Sequence, residues 1–463
     1  MSTPPDVVDA SLFQSGDMAW MATSSALVLL MIPGVGFFYA GLSRRKSALS
    51  LMVMIMLAHS VATVTWFFWG YSLTFSSTGN AFLGNMDYIG LRGVSAGDAG
   101  GIPVIMEALF QGLFAAITPA LAIGAIADRG RILPAMVFVF LFVTLVYCPI
   151  AYWTWNDNGF LSQLGGLDFA GGTPVHINSG VAALAYSWML GKRSGYDRLN
   201  GLPYRPHNVT NVMLGTVFLW VGWFGFNGGS TAAANILTPY VLFSTNLTAC
   251  IAGLTWVLLD YRLEGKWSTI GFCSGAISGL VAITPAAGFV PIWSCPVFGI
   301  VGAVAANFGT KLKFLVHIDE AMDVFAVHGV AGIVGNLLTG IFAASWVAEL
   351  AGEDNAIDGG WVDGHFVQLG YQLAETVTGC AWSFVMTSLI CFLLNLIPGL
   401  SLRVSAEEEE LGLDDVQCGE FAYDYVELTR HVSDILPGQD PTVGVPSAHS
   451  SEQTEKVAPS NAV

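Results

Sequence analysis

GTPVHINSGVAALAYSWML, residues 172–190, is an apolar helical stretch with His176 inside it, and DVFAVHGVAGIVGNLLTGIFAA, residues 323–344, holds His328 in a similar setting. A titratable ring is costly at membrane depth, so an ionisable residue there indicates a functional site. The alternative is that each imidazole hydrogen-bonds a neighbouring helix and only holds the bundle together. Two histidines placed in this way favour the functional interpretation.

The composition defines the class of protein. With 54% hydrophobic and 11% charged residues, the chain differs from ordinary soluble proteins, and it is predicted to be an all-α polytopic membrane protein. A helix needs roughly 17–25 apolar residues to cross the hydrocarbon core. Eleven such stretches occur, near residues 18–42, 48–74, 103–127, 132–155, 169–190, 208–229, 240–260, 268–285, 292–309, 322–346 and 366–397.

The basic residues predict the orientation, because Lys and Arg accumulate in cytoplasmic loops. If the N-terminus is outside and the C-terminus inside, sixteen of the seventeen basic residues lie on the inner side, and Arg92 is the exception. Residues 1–17 are then an extracellular N-terminus and residues 18–397 the transmembrane domain. The first span is long and follows an acidic segment, so it is interpreted as a retained helix.

The two halves of the chain are distantly alike. GVGFFYAG in the first span resembles GWFGFNGG in the sixth, and this predicts two inverted five-helix repeats followed by one long final helix. His176 follows Asp168 by eight residues, and His328 follows Glu320 by eight. Eight residues of helix span about 12 Å of a core of about 30 Å. Approaching from opposite faces, both rings are expected near the midplane.

The tail after the last span is acidic. From Val404 onward, thirteen acidic residues face Arg430 and Lys456. Residues 398–436 are predicted to be a cytoplasmic regulatory segment. Within it, residues 404–428 combine aromatic and apolar residues with the acids and are predicted to dock on the basic inner loops. Residues 437–463, rich in Pro, Ser, Gly and Gln, are predicted to be disordered. The seven cysteines lack metal-ligand spacing, and no metal is expected.

Several motifs carry a family resemblance: DFAGGTPVHINSG, GWFGFNGGS, FQGLFAAIT, CSGAISGLVAITPA, DVFAVHGVAGIVGNLLTGIFA and LRVSAEEEELGLDDVQCGEFAYDY. They resemble the ammonium transporter, methylammonium permease and Rhesus family over residues 18–428. The continuation YDYVEL and the histidine at position 176 are most similar to the fungal high-affinity ammonium permeases that also act as nitrogen sensors. Cys418 departs from the family, whose tail motif often has histidine at that position.

The resemblance implies a homotrimer in the plasma membrane that transports ammonium and methylammonium. Ammonium would be recruited outside, deprotonated and passed through an apolar pore lined by twin histidines. Neither an enzyme activity, a cofactor nor a nucleic-acid partner is implied.

The resemblance also assigns recruitment residues. Trp155 would attract ammonium by a cation–π interaction, with Phe114 below it, a Ser230 hydroxyl as acceptor, and Asp168 shaping the site as a helix cap with a smaller electrostatic attraction. Ser230 is equally consistent with a helix-end hydroxyl, and Trp155 with an aromatic residue at the membrane interface.

The rings of Phe114 and Phe226 would stack to close the pore, although aromatic residues at helical spacing are usually core residues. Below them, His176 and His328 would share one hydrogen bond and relay the proton released by ammonium. Asp323 is expected to resemble Asp168, at the inner end of the tenth span. In the tail, Glu420 and Tyr423 are the expected regulatory residues, and Ser450 and Ser451 are candidate kinase sites.

Alternative functions remain to be distinguished. An ammonium receptor without significant transport would have a similar sequence, as would a Rhesus-like ammonia or gas channel. A membrane cytochrome would use the two histidines as axial haem ligands, but the packed small and bulky residues beside both histidines argue against it. A retinal protein is excluded because every lysine falls in a predicted inner loop or in the tail.

Overall fold

The computed structural model describes residues 13–94, 97–196, 205–352 and 356–423. Within these ranges the protein is helical and contains no strand, only two isolated bridges, Asp98 with Pro103 and Gly130 with Arg403. Ser450, Ser451 and the predicted disordered tail lie outside the described residues. Most of the predicted extracellular N-terminus also lies outside them.

The long helices follow the predicted spans. They are α1 (Ser15–Leu42), α2 (Arg45–Phe75), α3 (Val104–Ile126), α4 (Ile132–Leu164), α5 (Gly172–Ile177 continued by Asn178–Leu190), α6 (Val209–Gly229), α7 (Leu237–Glu264), α8 (Thr269–Ile283), α9 (Ile292–Leu315), α10 (Phe325–Phe342) and α11 (Gln368–Leu396). A short helix, α12 (Ala406–Leu411), and a π turn, Asp414–Cys418, follow after the last long helix.

Nine of the helices in the described ranges are long and apolar enough to cross a membrane by length and composition. The predicted fifth and eighth spans are not among these nine. Helix α8 has 15 residues, and α5 is divided between a π turn of 6 residues and an α-helix of 13. The polytopic, all-helical fold is therefore confirmed. The count of eleven spans, the inverted repeats and the orientation of the termini stay predictions.

Small residues let the helices approach closely, as is common in membrane bundles. Helix α1 packs along α6, where a Cβ placed on Gly215 would lie 2.4 Å from the Phe38 nitrogen. Helix α5 packs against the start of α10, where a Cβ on Gly180 would lie 2.2 Å from the Gly329 nitrogen. Because Gly180 is one turn after His176 and Gly329 adjoins His328, this second contact brings the two histidines together.

Helices α5 and α10 begin in the same way. Each starts with a π turn of six residues, Gly172–Ile177 and Phe325–Val330, and each turn contains its histidine. π turns leave backbone groups with altered spacing and occur often at functional sites. The shared local geometry sets both imidazoles at the beginning of a helix that enters the bundle.

The two ends of the bundle differ in chemistry. One end, here called the aromatic end, carries Trp155 at the end of the first part of α4. The opposite end, here called the tail end, is where residues 402–418 pack on the loops after α1 and α3. The distinction lets each site residue be placed along one axis, from the aromatic end to the tail end.

A buried ionic network holds the tail end together. The Arg193 guanidinium contacts Asp319 Oδ1 at 2.8 Å and Asp128 Oδ2 at 3.1 Å. Burial by itself would raise the pKa of both carboxyls, but the hydrogen bonds and charge of Arg193 lower it below the ordinary value, with Arg44 contributing at Asp128. The network therefore fixes the loops that follow α3, α5 and α9 through ionised groups.

Candidate functional site: a line of rings along the bundle

His176 and His328 face each other in the interior of the bundle. Their Nδ1 atoms are 3.3 Å apart, and the rings are 1% and 6% exposed. At this distance one Nδ1–H donates to the other Nδ1, so the two rings hold different tautomers. One ring then presents an Nε2 lone pair, and the other an Nε2–H. The pair can accept a proton at one Nε2 and release a proton at the other.

The environment of the pair is apolar. The His176 ring stacks on Trp223 with centroids 5.2 Å apart, and the Trp223 indole N–H donates to Thr284 Oγ1 at 2.9 Å. His176 Nε2 is buried and has no hydrogen-bond partner within the described residues. The direct Nδ1 contact leaves no space for a haem iron between the rings. The geometry therefore contradicts the cytochrome alternative, in which both histidines ligate one iron.

The two phenylalanines lie directly on the aromatic side of the histidines. Phe114 and Phe226 stack with centroids 4.0 Å apart and an interplanar angle of 18°, and both rings are at most 1% exposed. Phe226 also approaches His176, with centroids 5.7 Å apart. The stack separates the histidine pair from the aromatic end, so a solute passing along this axis would need these rings to move.

Trp155 is the next ring toward the aromatic end. It packs edge to face on Phe114 at 6.1 Å, and its indole N–H donates to the Asp168 carbonyl at 3.0 Å. Trp155 also lines a cleft of about 410 Å³ together with Glu107 and Asp157. Glu107 accepts a hydrogen bond from the Tyr71 hydroxyl at 3.1 Å. The carboxylate of Asp157 and the Trp155 indole make this cleft attractive to a small cation.

Asp168 caps the start of α5. Its Oδ1 accepts from the backbone N–H groups of Gly171 and Gly172 at 2.7 Å, and its Oδ2 accepts from Thr173 N–H at 2.6 Å. Three short amide bonds at a helix N-terminus favour the charged carboxylate. The cap fixes both the π turn that holds His176 and the carbonyl that holds Trp155.

Ser230 follows the last turn of α6. Its hydroxyl donates to the Phe226 carbonyl at 2.8 Å, which is the helix-end bond considered as its structural alternative. The oxygen keeps its lone pairs and is half-buried. The Ser230 hydroxyl, which the resemblance assigns as an acceptor, thus donates its proton to the helix end. Its oxygen can still accept a hydrogen bond from a substrate.

A narrow apolar cavity continues the line on the other side of the histidines. It has a volume of about 10 Å³ and is lined by Val35, Phe38, Tyr39, Leu121, Leu219, Ile277, Met322, Val324, Val327 and His328. That volume corresponds to about one water-sized probe. Apart from the Tyr39 hydroxyl, which donates to the Leu121 carbonyl, and His328, the lining side chains are apolar.

The cap of α10 is Glu320 rather than the expected Asp323. Glu320 is 1% exposed, and its carboxylate accepts from Met322 N–H at 3.0 Å and Phe325 N–H at 3.3 Å. Asp323 has a positive φ of 56° and instead contacts Lys313 Nζ at 2.6 Å. The expectation for Asp323 is wrong because its own backbone turns at that residue. The spacing of eight residues before each histidine was the signal that pointed to Glu320.

The residues after α11 pack against the loops at the tail end. Arg131 N–H donates to the Leu402 carbonyl at 3.0 Å, and Val404 N–H donates to the Arg129 carbonyl at 3.1 Å. Glu409, which is fully buried, accepts from an Arg403 N–H at 2.8 Å. Its other oxygen accepts from Ser194 N–H at 2.7 Å. The sequence predicts that acidic residues of the tail dock on the inner loops, but it does not single out Glu409.

Two further tail residues contact helix beginnings. Asp414 Oδ1 accepts from Ser50 N–H at 2.7 Å and Oδ2 from Leu49 N–H at 3.1 Å, in the first α-helical turn of α2. Gln417 Oε1 accepts from Ile132 N–H at 3.2 Å, at the start of α4. These bonds satisfy amides that a helix cannot pair by itself. Sequence reading missed both residues, because their partners are more than 280 positions away.

The two expected regulatory residues in the described part of the tail lie on its surface. Glu420 is exposed, and its N–H approaches the Asp414 carbonyl at 3.4 Å. The Tyr423 hydroxyl accepts from Asn208 Nδ2 at 2.9 Å, and its ring meets His207 edge to face at 5.7 Å. Tyr423 thus contacts the residues just before α6, whereas the Glu420 side chain is exposed to solvent.

Comparisons with known proteins agree on one family. The sequence profile described as the Ammonium Transporter Family matches residues 19–423. "Ammonium transporter 1" of Schizosaccharomyces pombe is 51% identical over 451 residues, covering 96% of this chain and 90% of the relative. "Ammonium transporter MEP2" of Saccharomyces cerevisiae is 50% identical, covering 89% and 84%. The crystal structure of Mep2 from Candida albicans has a TM-score of 0.82 at 51% identity, covering 86% of this chain and 88% of that one.

Proposed function

The chain belongs to the ammonium transporter family, and we propose that it moves ammonium across the plasma membrane through the line of rings along its axis. The observation that supports this most directly is the order of side chains: Trp155, the stacked pair Phe114 and Phe226, then His176 and His328. Recruitment, exclusion and proton transfer thus follow one another along one path.

Recruitment takes place at the aromatic end. An ammonium ion over the Trp155 ring gains roughly 0.5–2 kcal/mol from the ring quadrupole. The carboxylate of Asp157 in the same cleft raises the local cation concentration. Ser230, whose hydroxyl donates to the Phe226 carbonyl, supplies a hydroxyl oxygen that can accept a hydrogen bond from a cation but offers nothing to an apolar solute.

Deprotonation accompanies entry into the apolar path. One N–H bond of ammonium breaks, its proton is taken up by the free Nε2 lone pair of the histidine pair, and neutral ammonia remains. The shared Nδ1 hydrogen bond lets the proton move from one ring to the other, while ammonia passes the apolar cavity beyond His328. On the tail side ammonia regains a proton. A potassium ion has no proton to give and would have to enter this path as a bare charge, at a large desolvation cost.

Uptake of isotope-labelled methylammonium into cells that lack other ammonium carriers tests the proposal. Saturable uptake that ammonium inhibits is the expected result. Binding of ammonium to purified protein without uptake would favour a receptor instead. Current recordings from reconstituted protein separate the Rhesus-like gas channel, which carries no charge, from a path in which both ammonia and its proton cross.

The assembly and cellular roles belong to the same proposal. The helices expose large apolar side chains on their outer faces, which suits contact with lipid or with neighbouring copies in a homotrimer. Ammonium sensing would use the same recruitment site. Mass measurement of the detergent-free protein in lipid nanodiscs tests the trimer, and growth responses of transport-deficient variants test sensing.

Regulation is assigned to residues 398–436. The contacts of Glu409 and Asp414 attach this segment to the loop that follows α5 and to the first α-helical turn of α2, at the tail end. A kinase acting on Ser450 or Ser451 would add roughly 1.5–2 negative charges per site to an acidic tail. The added charge would shift the docking equilibrium of the segment without altering the histidine path.

A further inference from the structure

Helix α11 presents a row of polar side chains to the loop that carries Asp168. Gln368 Nε2 donates to the Gly165 carbonyl at 2.7 Å. Gln372 accepts from Leu167 N–H and donates to the Leu167 carbonyl, both at 2.7 Å. Gln368 and Gln372 are four residues apart and share one face of the helix. They hold the backbone leading into the Asp168 cap.

Glu375 continues this row one turn further, and the transport path assigns it no role. Its side chain is fully buried, and a Cβ placed on Gly166 would lie 2.8 Å from its Oε2. One turn further along α11, a Cβ placed on Gly379 would lie 2.5 Å from Thr173 Cγ2, and the Thr173 N–H is bound by Asp168 Oδ2. Glu375 therefore lies beside the Asp168 cap. Among the described residues, neither of its oxygens makes a hydrogen bond of good distance and angle.

The two acids differ in what stabilises their charge. Asp168 has three amide bonds from the start of α5, whereas Glu375 has none. Among the described residues, neither acid forms an ion pair with a basic side chain. Two carboxylates that share a buried site cannot both be ionised at low cost, so one of them holds a proton.

We propose that Glu375 is a neutral, protonated acid that donates its hydrogen bond into the Asp168 site and keeps the pair at one negative charge. In this arrangement Asp168 stays the carboxylate, fixed by its amides. Glu375 is then a positioning residue: it acts through Asp168, whose carbonyl orients the Trp155 indole. Its effect on transport rests on the proposed function, whereas its protonation does not.

Infrared spectroscopy of the purified full-length protein in lipid tests the protonation directly. A protonated carboxylic acid gives a C=O stretching band that carboxylates and amides lack. At neutral pH, Glu375→Gln is expected to remove one such band from the wild-type spectrum, and Asp168→Asn is expected to remove none. An unchanged acid region in Glu375→Gln would overturn the proposal. Loss of the band in Asp168→Asn alone would also overturn it, because the proton would then be on the other acid.

Transport measurements test the positioning role. Glu375→Gln keeps a donor of similar shape, and Glu375→Leu keeps the volume without a donor, so methylammonium uptake should be higher in the glutamine variant at matched surface expression. Equal uptake in wild type and both variants would refute the positioning role. Absence of uptake in every protein, with the band still lost, would refute the transport function alone.

Discussion

The histidine pair gives the sharpest quantitative prediction. His176→Ala, His328→Ala and the double variant form a cycle in which each single change removes the same 3.3 Å Nδ1 contact. In stability, that bond is worth roughly 0.5–1.5 kcal/mol, and the ring left unpaired costs roughly 1–3 kcal/mol more. The double variant leaves no unpaired ring. Its stability loss should therefore be smaller than the sum of the two single losses by one bond and two unpaired-ring penalties, roughly 2.5 kcal/mol or more.

Transport should respond more strongly than stability. A positioned proton donor or acceptor typically contributes about 10²–10⁴-fold to a rate, and removing either ring breaks the same relay. Each single variant is expected to lose at least about 10²-fold in flux, with little further loss in the double variant. The contrast with additive behaviour is large, because two independent losses of that size would multiply to about 10⁴-fold.

The assay combines flux with folding. Purified variants are reconstituted into proteoliposomes at equal protein content, ammonium-driven currents and methylammonium uptake are measured, and thermal unfolding is followed in the same detergent. His317→Ala is the matched control, because His317 is an exposed histidine in the loop that follows α9. Its flux and thermal unfolding should match those of wild type. Wild-type flux in either folded single variant, or multiplicative losses in the double variant, would refute the relay.

Three further outcomes are expected. Trp155→Leu should raise the ammonium concentration needed for half-maximal uptake by roughly twofold to thirtyfold, since a cation–π contact of roughly 0.5–2 kcal/mol is lost. An unchanged concentration dependence would leave Trp155 as a membrane anchor. Asp414→Asn should weaken the docking of the tail by about 0.5–2 kcal/mol, which increased protease cleavage near residue 404 would reveal. Truncation at residue 403 should depress transport. Truncation at residue 436 should preserve transport but alter its response to nitrogen supply. Equal flux and response in all forms would contradict the docking hypothesis. Burial opposes the charge of Asp319, but the bonds and charge of Arg193 lower its pKa below the ordinary value. The stability that this pair contributes is therefore fully present above about pH 4 and is lost as the pH falls through the lower pKa of the folded state. Thermal unfolding of wild type and Asp319→Asn between pH 8 and pH 3 measures this loss.

Much of the fold could be read from the sequence because a membrane core imposes length and composition on each helix. Nine predicted spans correspond to helices that meet the criteria for crossing, and the family inferred from the motifs is the family found. Helices α5 and α8 are less apolar or shorter than the other long helices. Most of their residues are buried against other helices, so they need not present apolar side chains to lipid along their length. A count based on hydropathy is least secure at such helices.

The site was less predictable where contacts depend on backbone turns. The spacing of eight residues drew attention to Glu320, but the cap of α10 was expected at Asp323, whose positive φ directs its carboxylate to Lys313 instead. Glu375 is one of several polar residues within the predicted spans, and no motif distinguishes it from the others. Nothing in its local sequence indicates that it adjoins Asp168, because the two residues lie on different helices far apart in the chain.

The sequence by itself determined the class of protein, the helices and the identity of the residues able to do the chemistry, because these follow from local composition and from motifs. The tertiary structure decided which of those residues meet. The close approach of Gly180 to Gly329 brings His176 to His328, and the packing of α11 on the loop before α5 brings Glu375 to Asp168. Such distances depend on how whole helices cross. A linear pattern records the faces of each helix but not the angle or depth at which two helices pack.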